Sequence, residues 1–62
     1  MRTSELVKLL RKSGKCHLHR HGSNHDIWES EITGKRFSVP RHPNEEVPPG
    51  TANSILKDAG LK

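Results

Sequence analysis

Lys15-Cys16-His17-Leu18-His19-Arg20-His21-Gly22-Ser23-Asn24-His25-Asp26-Ile27-Trp28 is the stretch that decides how this chain folds. Apolar residues recur here at every second position, the period of a half-buried strand. Cys16 and Leu18 fall on one face, and His17, His19 and His21 fall on the other. Gly22-Ser23 reads as a turn, and a second strand follows from Asn24 to Ser30. Its inward face is ambiguous, because Ile27 and Trp28 are adjacent and cannot both point into a core. The run His21 to His25 also sets a histidine at the head of a strand, just after a glycine turn and among basic residues. That setting suits a protein that grips a phosphate backbone and moves a proton on it.

Outward from this hairpin the pattern is equally legible. Ile32-Thr33-Gly34-Lys35 supplies a second turn, and Arg36 to Val39 a third strand with Phe37 and Val39 on one face. Two tight connections make an antiparallel meander. Upstream, Leu6, Leu9 and Leu10 stand at i, i+3 and i+4, with Val7 widening the stripe. Thr3 or Ser4 is placed to cap that helix, Glu5 lies in its first turn, and Gly14 is its left-handed stop. Downstream, Pro40 to Gly50 reads as a loop. Thr51 then caps a second helix carrying Ala52, Ile55, Leu56 and Ala59, which Gly60 ends with Leu61 beyond it. The order predicts an α+β fold, α-β-β-β-α, with a three-stranded antiparallel sheet and both helices on one of its faces.

The 62 residues form one domain, residues 1–62, close to the lower limit for folding without staples. Only 29% of the residues are apolar, so each should serve a single core. A lone cysteine excludes an internal disulfide and a paired-cysteine metal site. No apolar run is long enough for a membrane span or a signal peptide, which predicts a cytoplasmic protein without a membrane partner, starting at its own Met1. Eleven Lys and Arg against seven Asp and Glu leave a net charge of +4, a balance that favours polyanionic partners. Two aromatics, Trp28 and Phe37, are too few for a base-stacking platform.

The histidine row invites a metal reading. Residues i and i+4 of a strand lie ~13 Å apart, however, which is the limit of what two imidazoles can span to one ion. We expect no metal and no other cofactor, and a row of rings facing solvent or a polyanion.

The element order, with Gly22-Ser23-Asn24-His25 opening the second strand, resembles the HicA family of bacterial toxins. Ser4-Glu5-Leu6, Thr33-Gly34-Lys35-Arg36, Val39-Pro40-Arg41-His42-Pro43, Ser54-Ile55-Leu56-Lys57 and Ala59-Gly60-Leu61 extend the likeness in register along the whole chain. The resemblance implies a double-stranded-RNA-binding-domain-like fold and a ribonuclease acting on messenger RNA, neutralised by a cognate HicB antitoxin. It also implies that His25 is the catalytic histidine. RNA can be cleaved without a metal because its 2'-hydroxyl is tethered beside the phosphorus, so a base, an acid and positive charge suffice. His25 would be base or acid. Arg20, Lys35, Arg36 and Arg41 are candidate phosphate clamps, and Gly22, Ser23 and Asn24 complete the RNA-binding set. The alternative is a non-catalytic RNA-binding module with the same fold and basic surface. A pure protein-interaction module is a third class.

Overall fold

The computed structural model describes all 62 residues. Helix α1 (Thr3–Ser13) leads into strands β1 (Cys16–His21), β2 (His25–Ser30) and β3 (Arg36–Pro40), and helix α2 (Pro49–Asp58) closes the chain. The strands form one antiparallel sheet in the order β1-β2-β3. Leu6 and Leu10 from α1, Ala52 and Ile55 from α2, and Cys16, Trp28, Phe37 and Val39 from the strands pack in one cluster. A single cluster of this make-up requires both helices on the same sheet face. The predicted α-β-β-β-α architecture is observed, and it is consistent with a double-stranded-RNA-binding-domain-like fold.

Trp28 resolves the parity of β2. It is buried among the core residues, while Ile27 lies on the opposite, open face and is only half-buried. Cross-strand partners share a face, so Asp26, Trp28 and Ser30 look toward the helices, and His25, Ile27 and Glu29 look away.

The first strand departs from simple alternation. Its register runs Leu18 opposite Trp28 and then Arg20 opposite Ile27, leaving His19 as the extra residue of a β-bulge. The bulge inverts the parity of everything after it. His21 therefore does not share the face of His17, as strict alternation predicts. It pairs with Asp26 on the helix side. Arg20 meanwhile shares the open face with Ile27 and, through the β2 alternation, with His25.

The helix ends also differ from expectation. Neither Thr3 nor Ser4 caps α1; the N-cap is Arg2, whose N–H donates to the Glu5 carboxylate at 2.9 Å. The orphan amides of Thr3 and Ser4 donate instead to the carbonyls of Glu45 (2.9 Å) and Pro43 (3.0 Å). The proline loop thus does the capping, and this frees Thr3 to be buried, its hydroxyl donating to the Glu45 carbonyl. Val47, fully buried, pins the end of that loop, with its N–H donating to the Met1 carbonyl at 2.8 Å. Thr51 likewise does not cap α2, which begins two residues earlier at Pro49, after Pro48. Proline suits that first position because its fixed φ is helical and its missing N–H is one the helix start leaves unbonded. At the far end Gly60 (φ 79°) donates to Lys57 and Leu61 to Leu56, the paired bonds of a Schellman stop.

Two predicted core residues are exposed. Leu9 is 40% exposed, because the buried face of α1 is centred on Thr3, Leu6 and Leu10 and Leu9 falls on its flank. Leu18 is 39% exposed, because it stands on the edge strand, where neither helix fully covers the helix-side face. No helix is long and apolar enough to cross a membrane.

Candidate active site and nucleic-acid interface

The β1–β2 turn is built around a close approach. The Gly22 N–H donates to the His25 carbonyl at 2.7 Å, and a Cβ on Gly22 would lie 2.4 Å from that same oxygen. Only glycine fits without moving the turn. His25 therefore enters β2 at a defined place, opposite Pro40 and on the open face. It is exposed. Among the histidines only His17 and His21 bond another side chain, His17 to Glu31 and His21 to Asp26. The His25 imidazole is left free to meet a ligand.

The turn is held from outside by Arg41, whose guanidinium donates to the carbonyls of Gly22 (3.0 Å) and Ser23 (3.3 Å). The same guanidinium lies 3.6 Å from Asp26, which also accepts from the His21 ring at 2.9 Å. Asp26 looks incompatible with a phosphate site when read along the sequence. Its carboxylate in fact points to the helix side, between the Arg41 guanidinium and the His21 ring, so it supports the turn instead of facing substrate on the open face.

The four predicted phosphate clamps separate. Arg20 has no carboxylate partner and shares the open face with His25. Arg41 lies at the turn but spends its donors on backbone carbonyls. Arg36 pairs with Glu29 at 2.7 Å, four residues along β2 from His25, a distance of ~13 Å. Lys35 lies in the opposite turn, 3.9 Å from Asp58 of α2. Ser23 and Asn24 are exposed at the turn tip beside His25. The cluster that forms is thus His25, Arg20, Arg41 and Gly22 to Asn24.

Farther along the open face Arg36 pairs with Glu29, and His17 bonds Glu31. The Arg36 hydrogen bond holds the Glu29 carboxyl below its usual range, and the nearby His19 and His17 rings add to the effect. Glu31 is lowered in the same way by its hydrogen bond to His17. No three histidine, cysteine or acidic side chains converge as a metal ligand set. The bulge is the reason the histidine row breaks up. Trp28, the alternative stacking surface, is buried under the Arg11 guanidinium, 5.2 Å from its ring centroid.

A close-packed turn glycine, a free histidine and an unpaired arginine thus lie together at the His25 end of the sheet. Residues 3–61 match the family described as the "HicA toxin of bacterial toxin-antitoxin". The chain belongs to the HicA toxin family. It is also similar to a protein of Photorhabdus laumondii subsp. laumondii named "Probable mRNA interferase HicA 2", with 34% identity over 62 residues, the full length of both. In this HicA chain the matched region contains every element of the fold, the His25 turn included. Arg20 and His21 are the two members of the region that alternation along β1 misassigns, and the bulge is what sets His21 opposite Asp26. No glycine marks the bulge that brings them together, and only the cross-strand register reveals it.

Proposed function

We propose that this chain is the toxin of a toxin–antitoxin pair and cleaves messenger RNA as a metal-independent endoribonuclease, with His25 moving the proton. The observation that carries this reading is the position of His25. It heads β2 on the open sheet face, its imidazole unbonded, behind a turn that only glycine can form. The basic groups around it supply charge for a phosphate, with Arg20 free to contact it and Arg41 stiffening the turn.

In this mechanism the 2'-oxygen attacks the adjacent phosphorus and the bond to the 5'-oxygen breaks. His25 either accepts the 2'-hydroxyl proton or donates one to the departing oxygen, water taking or supplying the other, and the products are a 2',3'-cyclic phosphate and a 5'-hydroxyl end. A single positioned acid-base group contributes on the order of 10²–10⁴ in rate. The antitoxin would cover the same face, offering carboxylates to Arg20 and the turn.

The test is cleavage of labelled RNA resolved by size. Wild-type protein should fragment it in the presence of EDTA, and a 2'-deoxy substitution at the cut site should block that cut. His25→Ala should bind without cleaving. A mobility shift with no fragments from the wild type would instead identify a non-catalytic RNA-binding module.

A further inference from the structure

On the helix side of the His25 turn lies a groove of about 340 Å³, between one face of α1 and the end of the β1–β2 ribbon. Pockets that take small ligands start at about this size. Leu18, Val7 and Pro43 form apolar walls, and Arg11, His21 and Arg41 bring positive charge to it. We infer that this groove seats the nucleotide of the RNA strand next to the one cleaved at His25. The inference rests on the ribonuclease reading above.

Four observations carry it. The first is the bulge at His19, which turns His21 out of the open face and into the groove. Asp26 bonds the His21 Nδ1 at 2.9 Å, and this fixes the ring plane while leaving Nε2 available as a contact for substrate. The second is Arg11, which stacks on Trp28 and has no carboxylate partner, unlike the paired Arg36. An unpaired guanidinium held in place by an aromatic ring is a pre-oriented donor for a phosphate oxygen. The third is Leu18, an exposed apolar side chain that the fold leaves uncovered at the groove wall and that a base could cover. The fourth is continuity. Arg41 lines the groove and at the same time holds the Gly22 and Ser23 carbonyls, so a strand crossing the turn tip passes from His25 directly to the groove mouth. The charged and titratable groups facing the occupant are Arg11 from α1, His21 from β1, Asp26 from β2 and Arg41 after β3. Arg11 and Arg41 are cationic, and the one acid already has a hydrogen bond to the His21 ring and lies 3.6 Å from Arg41. That balance fits a nucleotide with its phosphate.

Trp28 is the only tryptophan and forms part of the groove, so the protein carries its own probe. Full-length His25→Ala protein is titrated with a short single-stranded RNA while Trp28 emission is followed. The expected result is a saturable change in emission. His21→Gln in that background should weaken binding about tenfold, one charge-assisted contact's worth. Because His21 is an exposed side chain, this variant should keep the fold. In the cleaving protein, His21→Gln should raise KM about tenfold and leave kcat within about twofold. Arg11→Lys, which keeps the charge but not the planar fork, should fall between. RNA binding that leaves Trp28 emission and the His21→Gln affinity unchanged would overturn the inference. So would a Trp28 response to an acidic peptide but not to RNA, which would give the groove to a protein partner. Absence of cleavage by the wild type, with groove binding intact, would count against the ribonuclease reading alone.

Discussion

The two turns at opposite ends of β2 are made of similar residues and built to opposite ends. The β2–β3 turn is locked. Ser30 is buried, its hydroxyl donates to the Ala59 carbonyl at 2.7 Å, and the same oxygen accepts from the amides of Ile32 and Thr33. Thr33 donates to the Asp58 carbonyl, and Gly60 packs so closely on Ile32 that a Cβ there would lie 2.6 Å from its methyl. The β1–β2 turn has no such anchorage in the core. One backbone bond closes it and one arginine holds it from the surface, leaving its tip and His25 exposed. Small polar residues beside a glycine therefore do not define a turn's role. What matters is whether a helix end lies against them, and α2 ends at only one of the two.

Substitutions at the two ends should separate activity from stability, and the largest effect belongs to the open turn. His25→Ala should lower the cleavage rate on the order of 10²–10⁴-fold, while the urea midpoint stays where it is. Substantial residual cleavage would shift the chemistry to another group. Gly22→Ala comes next. The added Cβ must displace the His25 carbonyl, and a displacement of about 1 Å at a reacting group costs roughly 10²-fold in rate. Kinetics on a short RNA substrate, beside a melting curve, would show whether the loss is local.

At the locked turn the direction reverses. Ser30→Ala leaves a buried carbonyl and two amides without their shared partner and should cost about 1–3 kcal/mol of stability by urea denaturation. Its kcat should not change. A drop in kcat without loss of stability would mean that the two ends are coupled through β2, and the contrast between them would fail.

The smallest effect is electrostatic and serves the scaffold. Glu29, Glu31 and Glu46 have carboxyls held below their ordinary values by Arg36, His17 and the amino terminus respectively. A carboxyl lowered in the fold contributes stability above its unfolded value, and that contribution is lost as pH falls through the lower folded value. Stability should therefore be flat near neutrality and decline below about pH 4.5, the reference value for these groups. Glu31 and Glu46 are exposed and Glu29 is only half-buried, so the decline should be shallow and should weaken further in high salt. A decline already under way at pH 6 would point to the histidines instead.

Much of this was legible before any coordinates. The helical and two-residue periods located all five elements, and the glycine stops at Gly14 and Gly60 sit where those periods end, both with positive φ. Gly22 to His25 stood out for its composition alone, and it places an exposed, unbonded histidine at the head of β2. Legibility failed where an effect depended on residues far apart in sequence. Thr3 and Ser4 read as caps because short hydroxyl side chains favour that position. Carbonyls from Pro43 and Glu45, some 40 residues later, reached the orphan amides instead.

The sequence by itself determined the element order, the antiparallel meander and the basic turn carrying His25, because these follow from local periodicity and from what glycine and proline permit. Only the tertiary structure decided which side chains share a face. A bulge adds one residue to one strand, and with a side-chain period of two a single extra residue exchanges the faces for everything beyond it. That exchange moved His21 to the helix side, opposite Asp26, and turned Arg20 toward the open face of His25. Local pattern cannot report it, because the register is set by pairing with a partner strand.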